Sequence, residues 1–274
     1  MDQPLIRSEI VDHYGRYEED DRLASDYGTL ELVRTQEIFL RVLPPPPACV
    51  VDVGGGPGVY ATWLAGLGYE VHLVDPVPRH IDQATERATA AGVSLASATC
   101  GAAARIELDD DSADAVLLMG PLYHLQDPEE RLAALTEARR VLRPGGVVAA
   151  AAITRFAALL DSLDRDFIDD PTFMDIVAAG LSDGRHNNLT DKPGYFTTAY
   201  FHLPSDLAAE LDAAGFTAVE VLGVEGIGWI ARDFVERLDD PNSREALLAA
   251  IRTVETEPSL LGMSPHLLAL ATAP

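Results

Sequence analysis

The sequence predicts an α/β fold, a mostly parallel sheet covered by helices on both faces. Two observations carry this. Between residues 48 and 153, short apolar runs rich in Val, Leu and Ala alternate with amphipathic helical patterns, the order that parallel strands with crossover helices require. The first run, "VVDVGGGPGVYATWL" (50–64), breaks from a strand into a glycine loop and restarts as a helix.

The elements follow in order. Residues 5–43 read as helical, with Leu30, Val33, Ile38, Leu40 and Leu43 spaced between charges. "PPPP" at 44–47 stops that region, because proline cannot continue a helix. Strand 48–53, helix 58–67, strand 69–74, helix 78–91 and a weak strand near 93–98 come next. Strand 113–119, helix 128–142 and strand 146–153 complete the alternating part. Residues 155–195 hold helical patches broken by "DDP", "SDG" and "DKPG", and "TTAYFHLP" (197–204) reads as extended. "SDLAAELDAAGF" is a helix with Ser205 as its N-cap. "TAVEVLGVEG" is a strand, 231–256 is mostly helix, and "HLLALAT" is a closing strand. No repeat or interdomain linker stands out, so residues 1–274 form one domain with helical insertions near 155–195 and 229–260.

Composition limits the partners. With 47% hydrophobic residues the chain can bury a sizeable core. Its 44 Asp and Glu against 20 Lys and Arg give a net charge of −24, which repels phosphate backbones and anionic membrane surfaces. Nucleic acid and membrane partners are therefore not expected. The N-terminus lacks the pattern of an export signal, and no apolar run reaches the ~20 residues that span a bilayer, so a soluble cytoplasmic protein is expected. Cys49 and Cys100 lack ligand spacing and read as small buried thiols.

A glycine loop at the carboxyl end of a first strand is a cofactor site in this kind of sheet. A dinucleotide fingerprint wants G-x-G-x-x-G; from Gly54 the chain has Gly56 and then Val59. What it offers is D-x-G-x-G-x-G over Asp52, Gly54, Gly56 and Gly58. Asp52 can accept from a ligand's amino group or order the loop. Asp75, ending the second strand in "VHLVDP", can hold the two ribose hydroxyls of an adenosine, whichever cofactor carries it.

The ordered series "VVDVGGGPG…VHLVDP…ADAVLLMGPLYHLQDPEERLAALTEARRVLRPGG" resembles the signature of class I S-adenosylmethionine (SAM)-dependent methyltransferases. The resemblance implies a Rossmann-like, seven-stranded sheet flanked by helices. It also implies an N-terminal helical arm and helical insertions after the fifth strand and before the last. Residues 1–47 would be the arm or lid, 48–153 the SAM-binding core, and 154–274 the acceptor-binding insertions and C-terminal strands. Asp52, Gly54, Gly55, Gly56, Gly58, Asp75 and Pro76 would hold SAM, with Met119 and Gly120 facing the methyl. Where the family has an acid for the adenine amino group, this chain has Ala102 and Ala103. One lost hydrogen bond of that kind costs on the order of 1 kcal/mol.

For the acceptor, the resemblance places "GPLYHL" (120–125) opposite the methyl, with Tyr123 and His124 as contacts. Gly120 replaces the acid or amide with which base-amine methyltransferases clamp their substrate. In small-molecule methyltransferases the arm folds over the pocket, which nominates Tyr14 and Tyr17, with Arg22 and Arg34 for the SAM carboxylate. The insertions add His186, Asn187, Tyr200, His202 and Trp229 as an aromatic wall. His202, His186 and Tyr14 are the candidates for a catalytic base, and Glu225 is a weaker one. No His, Cys, Asp or Glu set has metal spacing, so no metal is expected. The layout is similar to bacterial secondary-metabolite methyltransferases, some of which methylate indole rings of tryptophan-derived compounds, cyclic dipeptides among them. The expected reaction turns SAM into S-adenosylhomocysteine (SAH) with a small acceptor, a homodimer being one possible assembly. Three rivals stay open: another N- or O-methylation, an NAD(P)-dependent oxidoreductase, and a non-catalytic SAM-binding protein.

Overall fold

Seven strands form one sheet in the computed structural model, which describes residues 26–190 and 192–274. They are β1 Cys49–Val53, β2 Glu70–Asp75, β3 Ser97–Cys100, β4 Ala113–Leu118, β5 Leu142–Ile153, β6 Thr217–Gly223 and β7 His266–Thr272. Their spatial order is β3-β2-β1-β4-β5-β7-β6. The pairs β1/β2, β1/β4, β2/β3 and β4/β5 are parallel, and β7 runs antiparallel to both β5 and β6. Strand order reverses between β1 and β4, so a crevice opens beyond the carboxyl ends of these two strands.

Ten helices lie among the described residues: α1 Asp26–Val42, α2 Val59–Gly66, α3 Pro78–Ala90, α4 Pro121–His124, α5 Pro128–Val141, α6 Ala157–Asp164, α7 Pro171–Asp183, α8 Pro204–Ala213, α9 Phe234–Asp239 and α10 Pro241–Val254. Three of them start with an Asp-Pro pair. Asp127, Asp170 and Asp240 each accept a backbone N–H from the first turn, and the proline takes N1. α8 departs from the expected start. Pro204 occupies N1 and Leu203 is the N-cap, so Ser205 lies inside the first turn and caps nothing. Proline's fixed φ outcompetes the serine for the boundary.

Alternation along β1 sends Val51 and Val53 to one face of the sheet and Val50 and Asp52 to the other. The first face packs against Leu135 and Ala138 of α5 and Leu207 and Leu211 of α8. The second packs Val50, Leu73 and Leu117 against Tyr60, Ala61 and Leu64 of α2 and Ile38 and Phe39 of α1. β3 is the edge strand and begins four residues later than its weak apolar signal suggests; its last residues are exposed. Cys100 lies there and is exposed, against expectation, whereas Cys49 is buried.

Helical insertions follow β5 and precede β7, as predicted. The first holds α6, α7 and a small antiparallel ribbon in which Arg185 and His186 pair with Tyr200 and Ala199. Phe173, Val177, Tyr195 and Phe201 are its core. The second packs Leu247, Leu248 and Ile251 of α10 against Leu30 of α1. No described helix is long and apolar enough to cross a membrane.

Candidate functional site

A cavity of about 380 Å³ opens at the crevice and runs from the glycine loop to the start of β7. Of the residues nominated from the sequence, Gly54, Gly55, Gly56, Asp75, Pro76, Ala102, Ala103, Met119, Gly120, Tyr123 and His124 come together on its lining. The loop's shape needs glycine at two points in particular. Gly54 has φ +70°, and a Cβ there would lie 2.6 Å from the Pro121 ring. Gly56 has φ +54°, and a Cβ there would meet no heavy atom within 4 Å, so this backbone faces open space that a ligand can approach.

Asp75 organises the cofactor half. Its Oδ2 accepts from the Gly56 N–H, and its Oδ1 accepts from Val77 N and from His80 Nδ1, each at 2.9 Å. The carboxylate thus ties the end of β2 to both the glycine loop and α3. His80 also lines the cavity, and the sequence reading passed it over. Its signal was available: a histidine one turn into the helix after the acid.

Asp52 and Gly58 stand behind the loop instead of on the cavity wall. The Asp52 carboxyl is fully buried and sits directly under Gly55. Neither of its oxygens has a hydrogen bond of ordinary geometry. Burial, and then the nearby charge of Asp75, push it up to about 7, against a smaller downward pull from the Ala61 N–H. Asp52 therefore orders the loop from below. Gly58 lets α2 meet α3, since a Cβ there would lie 2.8 Å from that of Ala84.

Arg34 does not reach the cavity. It is fully buried, its Nε donates to the Val224 carbonyl at 2.9 Å, and its guanidinium pairs with Glu37 and Glu255. These bonds tie α1 to the chain after β6 and to the end of α10, with Glu37 bracing the guanidinium from within α1. The face of α1 that does meet the cavity carries Glu31 and Thr35.

The aromatic insertion is also core, not wall. His186 is buried, stacks on Phe201 at 4.8 Å, and has its Nε2 2.7 Å from the Tyr195 carbonyl. Fully buried His202 has Nε2 3.2 Å from Glu210. Burial lowers the basicity of both rings, and Glu210 only partly restores that of His202. Tyr200 lies under the Arg131 guanidinium at 3.8 Å, and Arg131 pairs with Glu210. Asn187 accepts from Gln126, and the Trp229 Nε1–H donates to the Met263 carbonyl at 2.8 Å. None of these five lines the cavity. A cluster of rings and polar groups is what a small packed subdomain needs, and the sequence alone cannot separate that from a ligand wall. Tyr14, Tyr17 and Arg22 lie outside the described residues.

The far end of the cavity is instead built by Met119, Tyr123, His124, Ala151, Val224, His266 and Leu268, with Glu31 beside them. The Tyr123 hydroxyl donates to the Met119 carbonyl at 3.2 Å, fixing its ring. Glu31, Glu225 and His266 bring one potential ligand atom each within 4.8 Å of one another. Sequence spacing could not show this set, because its members come from three elements far apart in the chain.

Strand order 3-2-1-4-5-7-6, the glycine cradle and the acid ending β2 define the class I SAM-dependent methyltransferase fold. The cradle, Asp75 and the cavity fit SAM: a close backbone approach for the methionine end and an acceptor for ribose hydroxyls. Comparison with known proteins agrees. Residues 50–146 match the family described as a methyltransferase domain. An uncharacterised methyltransferase of Mycobacterium tuberculosis is 39% identical over 105 residues, 38% of this chain and 40% of that protein. This chain thus aligns with about two-fifths of that relative's length. A ubiquinone biosynthesis O-methyltransferase of Burkholderia thailandensis is 27% identical over 65% of this chain and 68% of its own. Among solved structures, a SAM-dependent methyltransferase from Thermotoga maritima aligns with a TM-score of 0.55 at 19% identity, covering 96% of this chain and 99% of that one. The [4+2]-cyclase SpnF aligns with a TM-score of 0.54 at 18% identity over 89% of this chain and 80% of its own. The same fold therefore carries other chemistry, and the site must argue the activity.

Proposed function

We propose that this protein transfers the methyl group of SAM to a small, uncharged acceptor with a planar aromatic ring. The observation that carries this is the continuity of one cavity. It joins the Asp75 and glycine-loop cradle to an end formed by Met119, Tyr123, His124, Val224 and Leu268. Bound SAM supplies an activated methyl on a sulfonium. The protein's tasks are then to position the acceptor and exclude water. Apolar and ring side chains suit a flat acceptor, and the overall charge of −24 disfavours an anionic one. The relatives' names point to methyl transfer, and one to O-methylation. The insertion that carried the likeness to indole methyltransferases lies off the cavity wall, so it supports no particular ring; a natural-product aromatic is the class we propose.

Thermal unfolding with SAH, SAM, NADH and NADPH side by side tests the cofactor assignment. A ligand at ~100 times its Kd adds about 2.7 kcal/mol, a shift of several degrees. A shift with SAH and SAM alone supports the assignment, and a shift with the nicotinamides alone overturns it. SAM consumption against an acceptor panel then separates a methyltransferase from a protein that only binds SAM.

A further inference from the structure

The acceptor end of the cavity contains a coupled pair. His266 opens β7 and lines the cavity. Glu225, two residues past the end of β6, is 2% exposed. Its Oε1 lies 2.5 Å from His266 Nδ1. Its Oε2 accepts from the Ser264 hydroxyl at 2.8 Å and from the His266 backbone N–H at 3.1 Å. The Gly226 N–H in turn holds the Ser264 oxygen. Glu31 adds a second carboxylate 3.7 Å from His266 Nδ1. With Nδ1 as the nitrogen engaged by Glu225, Nε2 is the ring nitrogen for proton exchange with a substrate.

We propose that His266 is the catalytic base of the methyl transfer, that Glu225 is its positioning residue, and that the acceptor reacts through a weakly acidic hydroxyl on an aromatic ring. This rests on the methyltransferase reading above. Glu31, Glu225 and the overall negative charge hold off a phenolate, so the acceptor arrives un-ionised. A neutral hydroxyl is a poor nucleophile, and its proton must leave as the new bond forms. An oxygen lone pair forms the O–CH3 bond while the S–CH3 bond breaks, its electron pair remaining on sulfur. The O–H bond breaks with its pair staying on oxygen, and the proton passes to His266 Nε2. Glu225 and Glu31 balance the imidazolium until the proton is released to solvent. Nothing is oxidised or reduced.

The test uses 4-nitrophenol, whose ionised form absorbs in the visible, added to the full chain saturated with SAH after treatment with a chelator. The pH is set where the probe is mostly un-ionised in water. Wild type should show the absorption of the bound, ionised probe. His266→Gln and Glu225→Gln should lose it while binding SAH as tightly as wild type by calorimetry. Ionisation of the probe in all three proteins, or in none, overturns the proposal, and so does a signal that appears only when Mn2+ is added. Turnover gives a second readout. With 4-substituted phenols of graded acidity, His266→Gln should slow transfer on the order of 10²-fold for the weakest acid and progressively less for stronger ones. Equal loss along the series means the residue is only structural. If wild type fails to bind SAH, the methyltransferase reading itself falls; if it binds SAH and the probe responses fail, only the base assignment falls.

Discussion

Replacing Asp52 by Asn should make the protein more stable, by an amount that grows with pH. The side chain is fully buried under the glycine loop, and burial with the neighbouring Asp75 charge raises its carboxyl from 3.8 to about 7. The folded protein therefore holds a proton there in a range where the unfolded chain has lost it. Stability is fully present below the unfolded value and falls as pH climbs from about 4 to 7. A shift of about three pH units is worth about 4 kcal/mol in total. About half of it, ~2 kcal/mol, is lost between pH ~5.5 and ~8.5. Asn keeps the shape and carries no charge, so it removes this component. Urea unfolding of wild type and Asp52→Asn at both pH values gives the difference directly, and the subtraction cancels every other titrating group. The stability gap should widen by about 2 kcal/mol at the higher pH. Parallel stability curves would refute the argument, showing that the carboxyl is solvated or paired in the folded protein.

Three other substitutions separate cofactor contacts from structural ones. Asp75→Ala should weaken SAH binding at least tenfold by calorimetry, because the Gly56 N–H and the His80 ring lose their common acceptor while the sheet stays intact. Arg34→Met leaves Glu37 with Arg252 and Glu255 with Arg41 but strands the Val224 carbonyl, and should cost about 2 kcal/mol in chemical unfolding, with SAH affinity unchanged in the folded fraction; a selective loss of affinity would return Arg34 to the site. His186→Phe should leave SAH affinity and any methyl transfer untouched and lower the melting temperature by several degrees, as expected where a buried ring loses its bond to the Tyr195 carbonyl.

The layers of the sheet were legible because period and punctuation agreed: apolar strands, amphipathic helices between them, and a proline stop before β1. The cofactor half was legible for a related reason, since Gly54, Gly56 and Asp75 lie close together along the chain around one crevice. The acceptor half was legible only in part: Met119, Tyr123 and His124 follow one strand, and Glu225 stands out as a weaker candidate base. Glu31 and His266 lie 235 residues apart (266 − 31), and each looks like an ordinary polar residue beside an apolar run. Conversely, His186, Tyr200, His202 and Trp229 attracted attention by their number, yet ring density describes a packed insertion as well as it describes a pocket. Arg34 failed for a third reason: a helical arginine looks solvent-bound until the partners brought by folding, Glu255 and the Val224 carbonyl, are known.

The place of β7 has a consequence for assembly. It is synthesised after every other strand of the sheet, yet it sits between β5 and β6. Until it inserts, β5 presents an unpaired ladder edge and β6 has no neighbour at all, a state prone to edge-to-edge association. Its pairings are also among the most distant in sequence, which slows their formation. β7 begins with His266, so the insertion that removes the sticky edge also delivers that residue to the cavity. A nascent chain that still lacks β7 can thus own a formed glycine cradle while His266 is missing from the acceptor end.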